Sequence, residues 1–224
     1  MTKTLTLLHT SPVHIATFDS LLAQIDPGIP VRHVVDESLL REAREAGTIT
    51  AQLRQRVADA VLLAIAQDAA VVLCTCSTIG GCAEQVGDDS NATVLRVDRP
   101  MAERAVAIGG RIVIAAALAS TLAPTRQLIL EAAARVGKQV QIAELLCEPA
   151  WAKFEHGDHA GYANEIAARL HEAATEGDVI VLAQASMAAA APLCADIGIP
   201  ILSSPRLGLE AAIEAYARHR SAGV

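Results

Sequence analysis

The sequence predicts an α/β protein: two pseudo-symmetric doubly wound lobes, each with a four-stranded parallel sheet flanked by helices. Three observations predict it. Eight short aliphatic runs punctuate the chain. Segments with apolar residues three and four apart lie between most of them. The order of runs in the first half recurs in the second.

The runs are TLTLLHT (4–10), VRHVVD (31–36), AAVVLCTC (69–76), TVLRVD (93–98), RIVIAAAL (111–118), VQIAELLC (140–147), DVIVLAQA (178–185) and IPILSSP (199–205). They are nearly continuous in aliphatic residues, which suits parallel strands covered on both faces by helices. The stretch 49–67 carries Leu53, Val57, Val61 and Ile65 along one helical face. The stretch 165–177 carries Ile166 and Leu170 and should end at Gly177. In the repeat, TLTLLHTSP matches RIVIAAALAST and VRHVVDESLL matches VQIAELLCEPA. AAVVLCTCSTIGG matches DVIVLAQASMAAA, and TVLRVDRPMAERAVAIG matches IPILSSPRLGLEAAIEA. The first lobe is expected at residues 3–104 and the second at 105–206. A C-terminal helix over 207–224 is expected to pack back on the first lobe.

Composition narrows the function. Hydrophobic residues make up 52% of the chain but aromatics only 2%, so the core should be built from small aliphatics. The net charge of −7 and the lack of a basic stripe argue against a nucleic-acid partner. No apolar run reaches membrane-span length, and the N-terminal run reads as a strand and not a signal peptide. The expected compartment is the cytoplasm, where Cys74, Cys76, Cys82, Cys147 and Cys194 stay reduced. The cysteine spacing lacks a zinc pattern, and His156 and His159 read as a solvated loop, so no metal is expected.

In open parallel sheets, ligands bind beyond the carboxyl ends of the strands. Two such lobes should place an active site in the cleft between them. The residues at those ends are Thr10 and Ser11; Asp36 and Glu37; Cys76, Ser77 and Thr78; Ser120 and Thr121; Cys147 and Glu148; Gln184, Ala185 and Ser186; Ser203 and Ser204. The set is rich in hydroxyls and holds no Arg or Lys, which suits a small carboxylate held by neutral donors and helix N-termini. Each hydroxyl can equally serve as a helix cap.

Cys76 falls where the third run meets the helix that begins with STIGG, and the amides of a helix start favour a thiolate there. Cys74 lies two residues earlier, inside the strand, where a buried structural thiol is the default. Cys82 and Cys194 fall on helical stretches and read as filler.

An aliphatic strand ending in Cys76-Ser77-Thr78, Thr10-Ser11 after the first strand, and AAALAST with Ser120 and Thr121 in mid-chain together resemble the aspartate/glutamate/hydantoin racemase superfamily. That superfamily also includes maleate isomerases and arylmalonate decarboxylases. The resemblance covers nearly the whole chain in architecture. It implies an enzyme that needs no cofactor, with two thiols on opposite faces of the carbon next to a carboxylate. It also implies Cys76 as acid or base, hydroxyls steadying an enediolate, and a homo-oligomer.

The second half departs from that pattern. Aligned on the family's spacing, Gln184 stands where the second cysteine belongs; aligned on the internal repeat, Ala185 does. Neither side chain titrates at neutral pH. Cys147 and Glu148 end another second-half strand and could supply a proton from a different direction. Three functions stay open. The first is a racemase- or isomerase-type enzyme using Cys76. The second is a single-cysteine decarboxylase of malonate-type acids, or a cis–trans isomerase with Cys76 as nucleophile. The third is a small-carboxylate-binding protein without catalysis.

Overall fold

The computed structural model describes residues 3–90, 92–173 and 176–222. The chain divides into two compact units, residues 1–97 with 205–224, and residues 98–204.

In the first unit the order is β1 (Thr4–His9), α1 (Val13–Ile25), β2 (Val31–Val35), α2 (Glu37–Ala46), α3 (Ala51–Ala66), β3 (Ala69–Cys74), α4 (Ser77–Ser90) and β4 (Thr93–Arg96). The strands form one parallel sheet in the order β2-β1-β3-β4. All six residues of β3 are buried, as a central strand covered on both faces requires. Its side chains alternate between two cores. Val72 and Cys74 pack with Leu39 of α2, Leu53, Val57 and Val61 of α3, and Ile79 of α4. Val71 and Leu73 pack on the other face with Phe18 and Leu22 of α1 and with Leu209, Ala212 and Tyr216. Those last three belong to α9 (Ser204–Ala222), the C-terminal helix, which begins at Ser204 and not near Leu207. Ser and Pro at its first two positions are favourable helix starters, which a purely periodic reading overlooks.

Local chemistry sets the helix ends. Asp36 caps α2 by accepting from Ser38 N at 3.0 Å, and Gly47 ends it in the left-handed conformation at φ 64°. Thr50 caps α3 by accepting from Leu53 N at 3.0 Å. The predicted stripe of Leu53, Val57 and Val61 is wholly buried, and Ile65 is partly so.

The second unit repeats the plan. It runs α5 (Arg99–Ile108), β5 (Arg111–Ala116), α6 (Ala119–Arg135), β6 (Gln141–Leu146), α7 (Glu148–Glu155), α8 (His159–Ala173), β7 (Val179–Leu182), a 3₁₀ helix (Ala185–Cys194) and β8 (Ile201–Ser203). The sheet order is β6-β5-β7-β8, again parallel. Val113, Ala115, Ile180 and Leu182 face a core with Tyr162, Ile166 and Leu170 of α8 and Met187 of the 3₁₀ helix. The segment after β7 is a 3₁₀ helix, whereas the matching segment after β3 is the α-helix α4. Met187 N bonds Gln184 O at 3.0 Å, and Pro192 within the segment lacks the donor an α-helix would need. As described, α8 ends at Ala173, and residues 174–175 before the expected stop at Gly177 lie outside the described residues. Among the described residues, no helix is long and apolar enough to cross a membrane.

Candidate active site at the carboxyl ends of the strands

In the first unit, β3 stops at Cys74 and α4 starts at Ser77, so Thr75 and Cys76 form the whole connection. Thr75 extends the ladder by one bond, its N–H donating to Leu8 O at 3.0 Å. The Thr75 hydroxyl donates to the same oxygen at 3.1 Å. Cys74, wholly buried, donates its S–H to Cys76 O at 3.6 Å, so its proton serves the turn. Cys76 occupies the residue before α4 and retains 9% exposure. Cys82 has nearly the same exposure, 8%, so exposure does not separate the two; placement does. Both thiols belong to the same apolar cluster, but Cys82 lies within α4, with the Arg54 guanidinium 3.9 Å from its sulfur, and burial pushes its thiol up.

Around Cys76, Thr10, Ser77 and Thr78 are buried and Ser11 is partly exposed. The Ser77 hydroxyl is buried without a hydrogen-bond partner among the described residues. Such a group costs about 1–3 kcal/mol unless a polar ligand or water reaches it. Asp36 is committed to capping α2 and lies 3.5 Å from Arg56, and Glu37 is exposed.

The expectation that the strand ends hold no cation needs correction. Arg96, the last residue of β4, is buried at 5% exposure, and its Nη2 donates to Ser77 O at 3.4 Å. Its guanidinium explains the glycine pair of α4. A Cβ on Gly80 would meet Arg96 Cβ at 3.0 Å and Nε at 3.3 Å, and one on Gly81 would meet Nη1 at 3.3 Å.

His9 also escaped the sequence reading. It ends β1, has no exposed surface, and its Nδ1 lies 2.8 Å from Thr75 Oγ1. Burial, then the nearby His33 and His14, lower its pKa to about 3; burial lowers that of His14 to about 4. Both rings are neutral at pH 7.

In the second unit the strand pairing settles which residue repeats Cys76. Leu8 pairs with Cys74 and Ala115 with Leu182. Thr75 N bonds Leu8 O, and Ala183 N bonds Ala115 O at 2.9 Å. One residue further on, Cys76 corresponds to Gln184, and each is followed directly by a helix. The repeat alignment that put Ala185 opposite Cys76 is therefore one residue out of register. Gln184 Oε1 accepts from Ala117 N at 2.6 Å and Leu118 N at 3.2 Å. Those bonds commit its carbonyl to the turn after β5 and fix which end of the amide is the NH₂.

Ala185 is buried at 7% exposure, and Ser186 shares a 2.9 Å hydrogen bond with the buried Tyr162 hydroxyl, whose pKa burial raises. Thr121 is buried, with its N–H on Leu118 O at 3.1 Å. The hydroxyls of Ser120, near the start of α6, and of Ser204, just past β8, are buried without hydrogen-bond partners among the described residues. Ser203 is partly exposed. Cys147 precedes α7, is wholly buried, and burial raises its pKa to about 11; Glu148 beside it is exposed. Among the described residues, no group of three or more His, Cys, Asp or Glu could hold a metal ion.

No protein-family model matches the chain, and no curated protein matches it in sequence. Solved structures match it in fold. Glutamate racemase from Francisella tularensis subsp. tularensis SCHU S4, in complex with D-glutamate, has a TM-score of 0.74 at 13% identity, over 97% of this chain and 82% of that one. Allantoin racemase from Klebsiella pneumoniae has a TM-score of 0.67 at 15% identity, over 96% and 88%. An arylmalonate decarboxylase has a TM-score of 0.61 at 17% identity, over 95% and 92%. The chain thus has the two-unit α/β fold seen in racemases and in a decarboxylase.

Proposed function

We propose that this chain is an enzyme of the aspartate/glutamate racemase superfamily, working without a cofactor. It acts at the carbon next to a carboxylate of a small acid, with Cys76 as its one thiol acid/base. The observation that carries this reading is the register: a thiol at the β3–α4 junction, and Gln184 at the matching junction of the second unit. The fold supports the superfamily, and the buried, unpartnered hydroxyl of Ser77 beside Cys76 supports a polar ligand there.

Racemisation requires a second acid on the opposite face of the carbon. Gln184 cannot titrate, and Cys147 is buried with its pKa raised to about 11. One-sided chemistry suits the residues better. In a malonate-type acid the bond from the α-carbon to one carboxyl group breaks and CO₂ leaves. The electron pair stays on the α-carbon as an enediolate, stabilised by hydroxyl and amide donors. The Cys76 thiol gives its proton to that carbon, and the resulting thiolate takes a proton from water. In a cis–trans isomerisation the same single thiol, as thiolate, adds to one alkene carbon, the remaining single bond rotates, and the C–S bond breaks as the double bond re-forms and the thiolate leaves.

A panel of small amino acids, hydroxy acids, malonates and maleate in D₂O tests the reading. Deuterium entering at the α-carbon without racemisation, dependent on Cys76, supports it. Racemisation of any acid contradicts it. Carboxylate binding that survives Cys76→Ala, with no turnover of any acid, selects the binding-protein reading.

A further inference from the structure

Four polar residues of the first unit, from α1, β2, β1 and the β3–α4 turn, form a hydrogen-bonded chain that ends beside Cys76. Asp19 of α1 bonds His33 of β2 at 3.0 Å, from Oδ1 to Nε2. His33 Nδ1 lies 2.9 Å from His9 Nε2, with the two rings within 13° of parallel. His9 Nδ1 lies 2.8 Å from the hydroxyl of Thr75, the residue before Cys76. Phe18 and His14, both from α1, lie beside His9, with ring centroids at 5.5 and 6.4 Å.

The Asp19 carboxylate can only accept, so His33 donates to it from Nε2. At the other end, His9 Nδ1 and Thr75 Oγ1 share one hydrogen bond whichever of them donates: the hydroxyl can donate to Nδ1, or turn to Leu8 O at 3.1 Å and accept from Nδ1–H. Leu8 O already accepts from Thr75 N–H, so either order keeps the His9–Thr75 link.

We infer that His9 is a positioning residue for Cys76: through the hydrogen bond between its Nδ1 and the Thr75 hydroxyl it holds Thr75, and through Thr75 the two-residue turn that carries the thiol. The inference rests on Cys76 being the working thiol. Cys74 grips the same turn from the other side, through Cys76 O. The second unit has no such tie, because Ala116 and Ala183 replace His9 and Thr75 in the matching register.

Two readouts that need no substrate test it. The first is imidazole ¹⁵N NMR on the intact protein at neutral pH. The His9 Nδ1 resonance should shift in Thr75→Val, which removes the hydroxyl; an unchanged resonance overturns the inference. The second is the rate at which iodoacetamide labels Cys76, located by peptide mass. A nearly buried thiol reacts from a locally opened turn, so its rate reports how firmly the turn is held. His9→Asn keeps a hydrogen-bonding group where Nδ1 stood, whereas His9→Gln and His9→Leu do not. Losing one buried hydrogen bond should raise labelling about tenfold in the Gln and Leu variants, while Asn stays within about threefold of wild type. Equal rates in all three variants overturn the inference. Turnover at close to the wild-type rate in Cys76→Ala would sink the functional reading and leave both readouts unchanged, so the two failures are distinguishable.

Discussion

The carboxyl ends of the two sheets share a backbone plan and differ in what ties it together. In the first unit a side-chain chain braces the turn after β3, and the residue at the junction is a thiol. In the second, the junction residue is Gln184, which reaches sideways and satisfies two amides of the turn after β5. Equivalent positions thus divide two tasks. Cys76 is left without a bracing duty because His9, Thr75 and Cys74 perform it, whereas Gln184 supplies the bracing itself. A thiol placed at 184 would be too short to bond both amides. Absence of a second cysteine is in this sense part of how the second unit is built.

Mutation should expose the asymmetry most strongly at the junction residues. Cys76→Ala should lower turnover by about 10²–10⁴-fold, the usual contribution of a positioned acid or base, while Cys74→Ala keeps most of it. Steady-state rates with any acid found to be turned over check this, and equal losses in the two variants would erase the distinction between them.

Acid should separate the units next. His9 and His14 are neutral in the folded first unit and protonate readily when unfolded. Their folded pKa values lie below the unfolded ones. Their contribution is therefore full above about pH 6.5 and is lost as pH falls toward 4 and then 3. Each group should cost about 2 kcal/mol of stability between pH 6.5 and pH 4.5, read as urea midpoints. His14→Leu should flatten that slope; an unchanged slope would contradict the placement of His14.

Smaller effects sharpen the comparison from the second unit. Gln184→Cys should destabilise by about 1–3 kcal/mol, because Ala117 N and Leu118 N lose their shared acceptor. It should not by itself create a racemase. Denaturant unfolding with an assay for amino-acid racemisation checks both halves. Full stability together with gained racemisation would show that Gln184 is a passive replacement. Last, Gly80→Ala should cost about 1–2 kcal/mol by overpacking against Arg96. Pairing it with Arg96→Ala should recover part of that loss, since the crowded side chain is then gone.

Much of this was legible from residue order. The eight aliphatic runs appear as eight strands, and the central ones, β1, β3, β5 and β7, are the nearly continuous buried runs that a parallel sheet covered on both faces requires. The matching of first-half runs with second-half runs pointed to one plan for both units, and the ladders supply the strand order they share. What the sequence hid is register. His9 and Thr75 are 66 residues apart and each reads as a polar blemish at the end of a run. Only the β1–β3 pairing shows that they end adjacent strands and bond. The same holds for Gln184, whose two alignments differ by one residue and which only the ladder could assign. Arg96 left a signal that could have been used. An arginine inside a short aliphatic strand, with a glycine pair on the preceding helix, marks a buried guanidinium needing room.

The most direct test is the configuration of the product from a prochiral 2-substituted malonate turned over in D₂O. If one sulfur works from one side, each turnover should place a single deuterium at the α-carbon in one configuration, and Cys76→Ala should slow it by about 10²–10⁴-fold. A racemic product, or turnover at close to the wild-type rate in Cys76→Ala, would contradict the account.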